Sequence, residues 1–152
     1  MGDRLQNCRR GITALTHQSK SRVLVQSRIY ATEPVDYVDQ DWFINMMIKL
    51  ETEQDPYRLL DQIKSIQRAA GRIRDRIQYG PRILDLDIIF YDDLIIDSER
   101  LVVPHPRMHQ RRFVLQPICD IDPTIIHPVL KKNMQSLLAR LGEDEQRVIE
   151  YQ

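Results

Sequence analysis

The sequence predicts an α+β sandwich, helices packed on a mainly antiparallel sheet, and three observations predict it. Apolar residues recur at helical spacing near the start and again after Pro56; β-branched runs of strand length lie between and beyond them; and the segments follow one another as helix, strand, strand, helix, strand. That order is a ferredoxin-like βαββαβ sandwich with its first strand removed. In such a sheet the first strand is central, so its loss opens a gap in the hydrogen-bond ladder rather than trimming an edge. The natural protein is therefore expected to begin upstream of Met1. Residues 1–152 are expected to form one N-terminally short domain, as 152 residues with 42% hydrophobic content suit a single core.

In the first helix, over residues 3–16, Leu5, Cys8, Ile12 and Leu15 share one face. Residues 23–30 are β-branched, partly alternating, and end before Glu33-Pro34, as a strand should. Residues 42–50 are again strand-like. Pro56 sits in the first turn of a helix carrying Leu59, Leu60, Ile63 and Ile66, and Gly71 is expected to end it. A basic loop over 72–82 leads into residues 83–91, a run of strong strand propensity. Asp92-Asp93 turns the chain into Leu94-Ile95-Ile96. A short helix is expected around Arg112, Phe113, Val114 and Leu115, and a last one over residues 133–141.

Composition excludes several function classes. Lys plus Arg equals Asp plus Glu at 22 each, so no global field recruits nucleic acid or an anionic membrane, and any anion site must be local. No apolar run approaches a bilayer span, and no signal peptide opens the chain. Cys8 and Cys119 lie far apart without metal-ligand spacing, which points to a reducing cytoplasm.

Chemistry concentrates in one stretch. Asp85 and Asp87, two apart on an expected strand, leave by the same face while Leu84, Leu86 and Ile88 enter the core. Paired carboxylates suit Mg²⁺, which takes one or two of them and completes its octahedron with water and phosphate. Alone, Asp-x-Asp is more often a solvated strand face. Just upstream, however, Arg72, Arg74, Arg76 and Arg82 fall within eleven residues that also hold Gly80 and Pro81. Guanidinium groups clamp phosphate oxygens bidentately, so cations beside a Mg²⁺-type carboxylate pair suggest an ATP triphosphate site. The competing reading is that the arginines only pair with the aspartates or coat a loop. His105, held extended between Pro104 and Pro106 with Arg107 and Arg111 nearby, could donate to a phosphate oxygen, although a lone histidine is more often structural.

Gly71-Arg72-Ile73-Arg74, with the run from Tyr79-Gly80-Pro81-Arg82 to Leu84-Asp85-Leu86-Asp87, resembles the signature of the 6-hydroxymethyl-7,8-dihydropterin pyrophosphokinase family. Val103-Pro104-His105-Pro106-Arg107, followed by Arg111 and Phe113, is similar to a second family segment, and Tyr30 to Pro34 and Asp41 to Asn45 to its pterin-side segments. The resemblance covers nearly the whole chain. It implies transfer of diphosphate from ATP to 6-hydroxymethyl-7,8-dihydropterin, with AMP leaving, in folate biosynthesis. It further implies that Asp85 and Asp87 bridge two Mg²⁺ ions and that Arg72, Arg82, His105 and Arg111 hold phosphate oxygens, with Arg74 contributing from a loop. Phe43 and Phe113 would stack on the pterin and Asn45 would meet its rim, while Thr32, Pro34 and Val35 shape the pocket. Without the resemblance both phenylalanines read as core residues. The family's first strand and its Gly-Ser-Asn loop should precede Gly2, and Gln67 stands where many members carry Glu.

The implied partners are therefore ATP and the pterin, with no nucleic acid, no membrane and a monomer favoured. A catalytically silent relative that binds nucleotide or a partner protein is the alternative, motivated by the absent strand and Gln67. An RNA-binding module using the arginine loop is a third reading, against which stand the neutral net charge and the lack of paired aromatic sheet motifs.

Overall fold

The computed structural model of the chain describes residues 2–17, 20–33, 42–73, 84–142 and 147–151. Helix α1 (Gly2–Thr16) forms where the apolar spacing predicts it. Its buried Leu15 meets Leu59 and Ile63 of α2 (Pro56–Ile73), so the two apolar stripes close on each other. Asp55 caps α2: its Oδ1 accepts from the N–H groups of Tyr57 and Arg58, both at 3.0 Å, with Pro56 as the first helical residue. The expected stop at Gly71 is a correction, for the helix runs on to Ile73. A Cβ at Gly71 would meet nothing within 4 Å. Glycine there costs a helix only about 1 kcal/mol, which the flanking helix formers override.

The strand expected over residues 23–30 is two strands, β1 (Ser21–Gln26) and β2 (Tyr30–Thr32). The one over 42–50 is likewise two, β3 (Phe43–Asn45) and β4 (Ile48–Thr52). β1 pairs with β4 and β2 with β3, both antiparallel. The cause of the division is slippage. The register shifts at Val23/Val25, and between the pairs Gln26↔Ile48 and Tyr30↔Asn45 four steps along one chain match three along the other. Ser27 seals that break. Its N–H donates to the Met47 carbonyl at 2.8 Å, and its Oγ accepts from the Met47 N–H at 2.8 Å and donates to the Arg28 carbonyl at 2.6 Å. The N–H and carbonyl of Met47, the Ser27 N–H and the Arg28 carbonyl, which lie at the slip, are thus satisfied.

Downstream, Asp92 makes the expected turn in the left-handed region (φ 51°), which aspartate tolerates. A short antiparallel pair follows, β5 (Ile96–Asp97) with β6 (Val102–Val103). Helix α3 (Arg112–Ile121) is longer than the short helix expected there, and α4 (Met134–Ala139) is capped by Asn133, whose side chain accepts from the Ser136 N–H at 2.8 Å. β7 (Val148–Glu150) was not anticipated; it pairs with the free side of β2, giving the order β3-β2-β7. Three residues are too few for alternation to declare a strand.

The run over 83–91 is a further correction. Its described residues, 84–91, form no strand. Strand propensity needs a partner to become a ladder, and among the described residues the main chain here makes one inter-segment bond, from the His105 N–H to the Ile89 carbonyl at 3.0 Å. The segment still lies between two cores. Leu86, Ile88 and Tyr91 pack on the Leu15–Leu59–Ile63 cluster, while Ile89 and Phe90 pack on the cluster of Met108, Val114, Leu115, Ile118, Met134 and Leu137. Gly11 of α1 lets it approach, since a Cβ at that position would come within 2.9 Å of Leu84 Cδ2.

Four α-helices and small antiparallel sheets among the described residues make an α+β fold compatible with the ferredoxin-like type. No helix among them is long and apolar enough to cross a membrane. Cys8 and Cys119 are free thiols, and burial pushes the pKa of each up.

Candidate active site

The alternation predicted around the aspartates holds even without a ladder. Leu84 is buried and Leu86 and Ile88 pack inward, whereas Asp85 and Asp87 are exposed on the opposite side. Ile89 and Phe90 then reach the α3 cluster, and the Ile89 carbonyl bonds the His105 segment, so the aspartates stand within a few residues of both.

His105 follows a cis Val103–Pro104 bond and is bound to the aspartate segment through the Ile89 carbonyl. Its Nδ1 accepts from the Arg107 N–H at 3.3 Å, which leaves Nε2 as the donor of the neutral ring. Burial is the main influence on this imidazole and lowers its pKa. The Asp87 carboxylate opposes that shift, and Arg111 and Arg107 reinforce it. One carboxylate and two guanidinium groups thus act on this imidazole. Arg111 stands just before α3, its guanidinium carbon 5.5 Å from the centroid of the Phe113 ring.

The pterin-side residues gather on β2 and β3. Thr32 pairs with Phe43, and Tyr30 with Asn45. The Asn45 amide donates to Thr32 Oγ1 at 2.6 Å, with Thr32 only 2% exposed. Phe43 and Asn45 leave β3 on one face while Ile44 is buried on the other. Phe43 and Phe113 are both half-buried, a state open to a core role and to one exposed stacking face alike.

Arg72 lies in the last turn of α2 rather than in a loop. Arg74, Arg82, Pro34 and Val35 fall outside the described residues. Sequence spacing did not reveal Arg4, whose guanidinium carbon sits 5.0 Å from the Phe43 ring centroid, or the pairing of Tyr30 with Asp120. Both are contacts between distant segments, which no local pattern encodes.

Two carboxylates on one exposed face fit Mg²⁺. No group of three or more His, Cys, Asp or Glu side chains among the described residues could cage a metal unaided, and Mg²⁺ characteristically takes its remaining ligands from substrate phosphate and water.

Residues 1–123 match the family model described as 7,8-dihydro-6-hydroxymethylpterin-pyrophosphokinase. The chain belongs to this family. It is 40% identical over 121 residues to the 2-amino-4-hydroxy-6-hydroxymethyldihydropteridine pyrophosphokinase of Bacillus subtilis, covering 80% of this chain and 72% of that protein. It is 37% identical over 141 residues to the folic acid synthesis protein fol1 of Schizosaccharomyces pombe, covering 93% of this chain but 19% of that one. A third relative is the mitochondrial folate synthesis bifunctional protein of Arabidopsis thaliana, 40% identical over 121 residues, which are 80% of this chain and 22% of the relative. The chain therefore spans about a fifth of the length of the longer relatives.

Proposed function

We propose that this chain transfers the terminal diphosphate of ATP to the hydroxyl of 6-hydroxymethyl-7,8-dihydropterin in folate biosynthesis. The observation that carries the reading is the exposed Asp85–Asp87 pair, with His105 bonded to the same segment through the Ile89 carbonyl, in a member of this family. The pterin oxygen forms a bond to the β-phosphorus, the bond from that phosphorus to the α–β bridging oxygen breaks, and AMP leaves. The hydroxyl proton passes to Asp87 or to water.

Asp85 and Asp87 hold Mg²⁺, two ions being the proposed number, and the bound metal supplies charge neutralisation and polarisation at the β-phosphorus. His105, through Nε2, and Arg111 bind phosphate oxygens, joined by Arg72, Arg74 and Arg82. Their contribution is positioning and charge, as in phosphoryl transfer generally. Phe43 and Phe113 stack on the pterin, Asn45 meets its rim, and Thr32, Pro34 and Val35 complete the pocket. The Asn45–Thr32 hydrogen bond supports the rim role, because it holds the amide in one orientation.

Residues 1–152 are proposed to be one pyrophosphokinase domain, monomeric and acting without nucleic acid or membrane. The two free thiols support a reducing compartment such as the cytoplasm. The finer fold proposed is a ferredoxin-like βαββαβ-type sandwich with helices packed on a mainly antiparallel sheet, and it is supported by the antiparallel pairing of β1 with β4 and of β3 and β7 with β2.

The test is AMP formation from ATP and Mg²⁺ with and without the pterin, in the wild type, Asp85→Ala and Asp87→Ala. Pterin-dependent release is expected from the wild type alone, with thermal midpoints preserved because both aspartates are exposed. Near-normal turnover in both variants would remove the metal assignment.

A further inference from the structure

Arg4 stands in the first turn of α1, 38 residues before Trp42, yet its Nη1 donates to the Trp42 carbonyl at 3.1 Å. The same guanidinium covers the Phe43 ring, 5.0 Å from its centroid. We propose that Arg4 is a positioning residue for the pterin: tethered to the Trp42 carbonyl, it occupies one face of Phe43 and fixes the ring so that the opposite face receives the flat heteroaromatic substrate. The inference rests on the functional reading above and deepens its pterin side.

Two observations and the chemistry of the guanidinium group carry it. Phe43 and Asn45 leave β3 on the same face, so whatever orients the ring also sets its place relative to the rim amide. The Phe43 ring is only half-buried, so packing alone does not fix it, and a terminal aromatic torsion is broad unless something holds it. A guanidinium is planar and always charged, so one group can hydrogen-bond a carbonyl through its edge and lie against an aromatic face. Lysine, a point charge on a flexible stem, cannot do both in a fixed geometry. The tether also argues against a gate: Arg4 is bound to the carbonyl of the residue just before Phe43.

Equilibrium dialysis of 6-hydroxymethyl-7,8-dihydropterin, with Mg²⁺ and a non-transferable ATP analogue present, tests this in the wild type, Arg4→Ala and Arg4→Lys. Nucleotide affinity and thermal midpoint are measured on each. Arg4→Ala is expected to weaken pterin binding about tenfold, or about 1.4 kcal/mol, with nucleotide affinity and midpoint unchanged. Arg4→Lys should fall between, and it decides the matter if the alanine variant does not fold. Unchanged pterin affinity in the variants overturns the inference alone, as does tighter binding, which would make Arg4 a gate. Equal losses for both ligands with a lowered midpoint assign Arg4 a general structural role and overturn it too. A wild-type chain that binds no pterin overturns the functional reading, and the inference with it.

Discussion

The Tyr30 hydroxyl on β2 donates to Asp120 Oδ2 on α3 at 2.6 Å, and the Arg28 N–H donates to the same oxygen at 3.1 Å. This pair joins the strand that carries Thr32 to the helix that carries Phe113. Two elements of the proposed pterin pocket are thereby held together by one carboxylate outside it.

That contact has a pH signature. Burial, with the hydrogen bond and charge of Asp120, pushes the Tyr30 pKa up to about 12 from 10.0, against a smaller opposing effect of Arg28. The folded state therefore keeps the proton that the unfolded chain releases near pH 10, so this contribution is complete below pH 10 and lost as pH rises toward 12. Tyr30→Phe is expected to cost about 1 kcal/mol in urea unfolding at pH 8, a modest loss because Asp120 is exposed and rehydrates. The difference between wild type and variant should shrink from pH 10 to 12. A difference that stays constant would mean that Tyr30 does not hold its proton through Asp120.

His127 makes the opposite prediction, at acid pH. It is 5% exposed, and its Nδ1 accepts from the N–H groups of Val129 (3.2 Å) and Leu130 (3.0 Å), fixing the turn before α4. Burial, then the neighbouring His109, lowers its pKa below the ordinary 6.5. The folded state prefers the neutral ring, so its contribution is intact above pH 6.5 and is lost as pH falls through the lower folded value. Protonation also removes the acceptor that both amides need. His127→Gln keeps a carbonyl acceptor that does not titrate. The wild type should therefore lose stability relative to this variant as pH is lowered from 7 to 5. Parallel stability curves would exclude His127 as the titrating group.

Sequence pattern located what is local and missed what depends on partners. The helical stripe of Leu5, Cys8, Ile12 and Leu15 and the Pro56 start were legible because capping and period act within a few residues. So was the inward set of Leu84, Leu86 and Ile88 beside Asp85 and Asp87, since alternation needs only an extended chain with one apolar side. The ladder itself was not legible over 84–91, because hydrogen bonds belong to two segments and propensity describes one. The slip sealed by Ser27 escaped for the same reason: a serine in a strand reads as a neutral residue until its Oγ meets Met47 across the sheet. Arg4, Tyr30 and Asp120 carry no spacing signal, as each finds its partner dozens of residues away.

Gly11 is the position where helix packing reaches the aspartate pair from behind. A Cβ there would stand 2.9 Å from Leu84 Cδ2 and 3.6 Å from Leu86 Cδ2. In Gly11→Ala only the mobile end of Leu84 must give way, and alanine returns about 1 kcal/mol of helix propensity, so stability should change little. Gly11→Val adds two methyl groups against the same contacts and gives up much of that propensity gain. Overpacking of this kind costs about 1–3 kcal/mol and is relieved by moving the softer partner, here the segment over 84–88 that lacks a ladder. Because Asp85 and Asp87 ride on that segment, a displacement approaching 1 Å should lower pterin-dependent AMP release about a hundredfold. The alanine variant should keep nearly full turnover. The measurement pairs thermal unfolding with the AMP assay for both variants, and a valine variant as active as the alanine one would show that the aspartate segment is not set by its seat on α1.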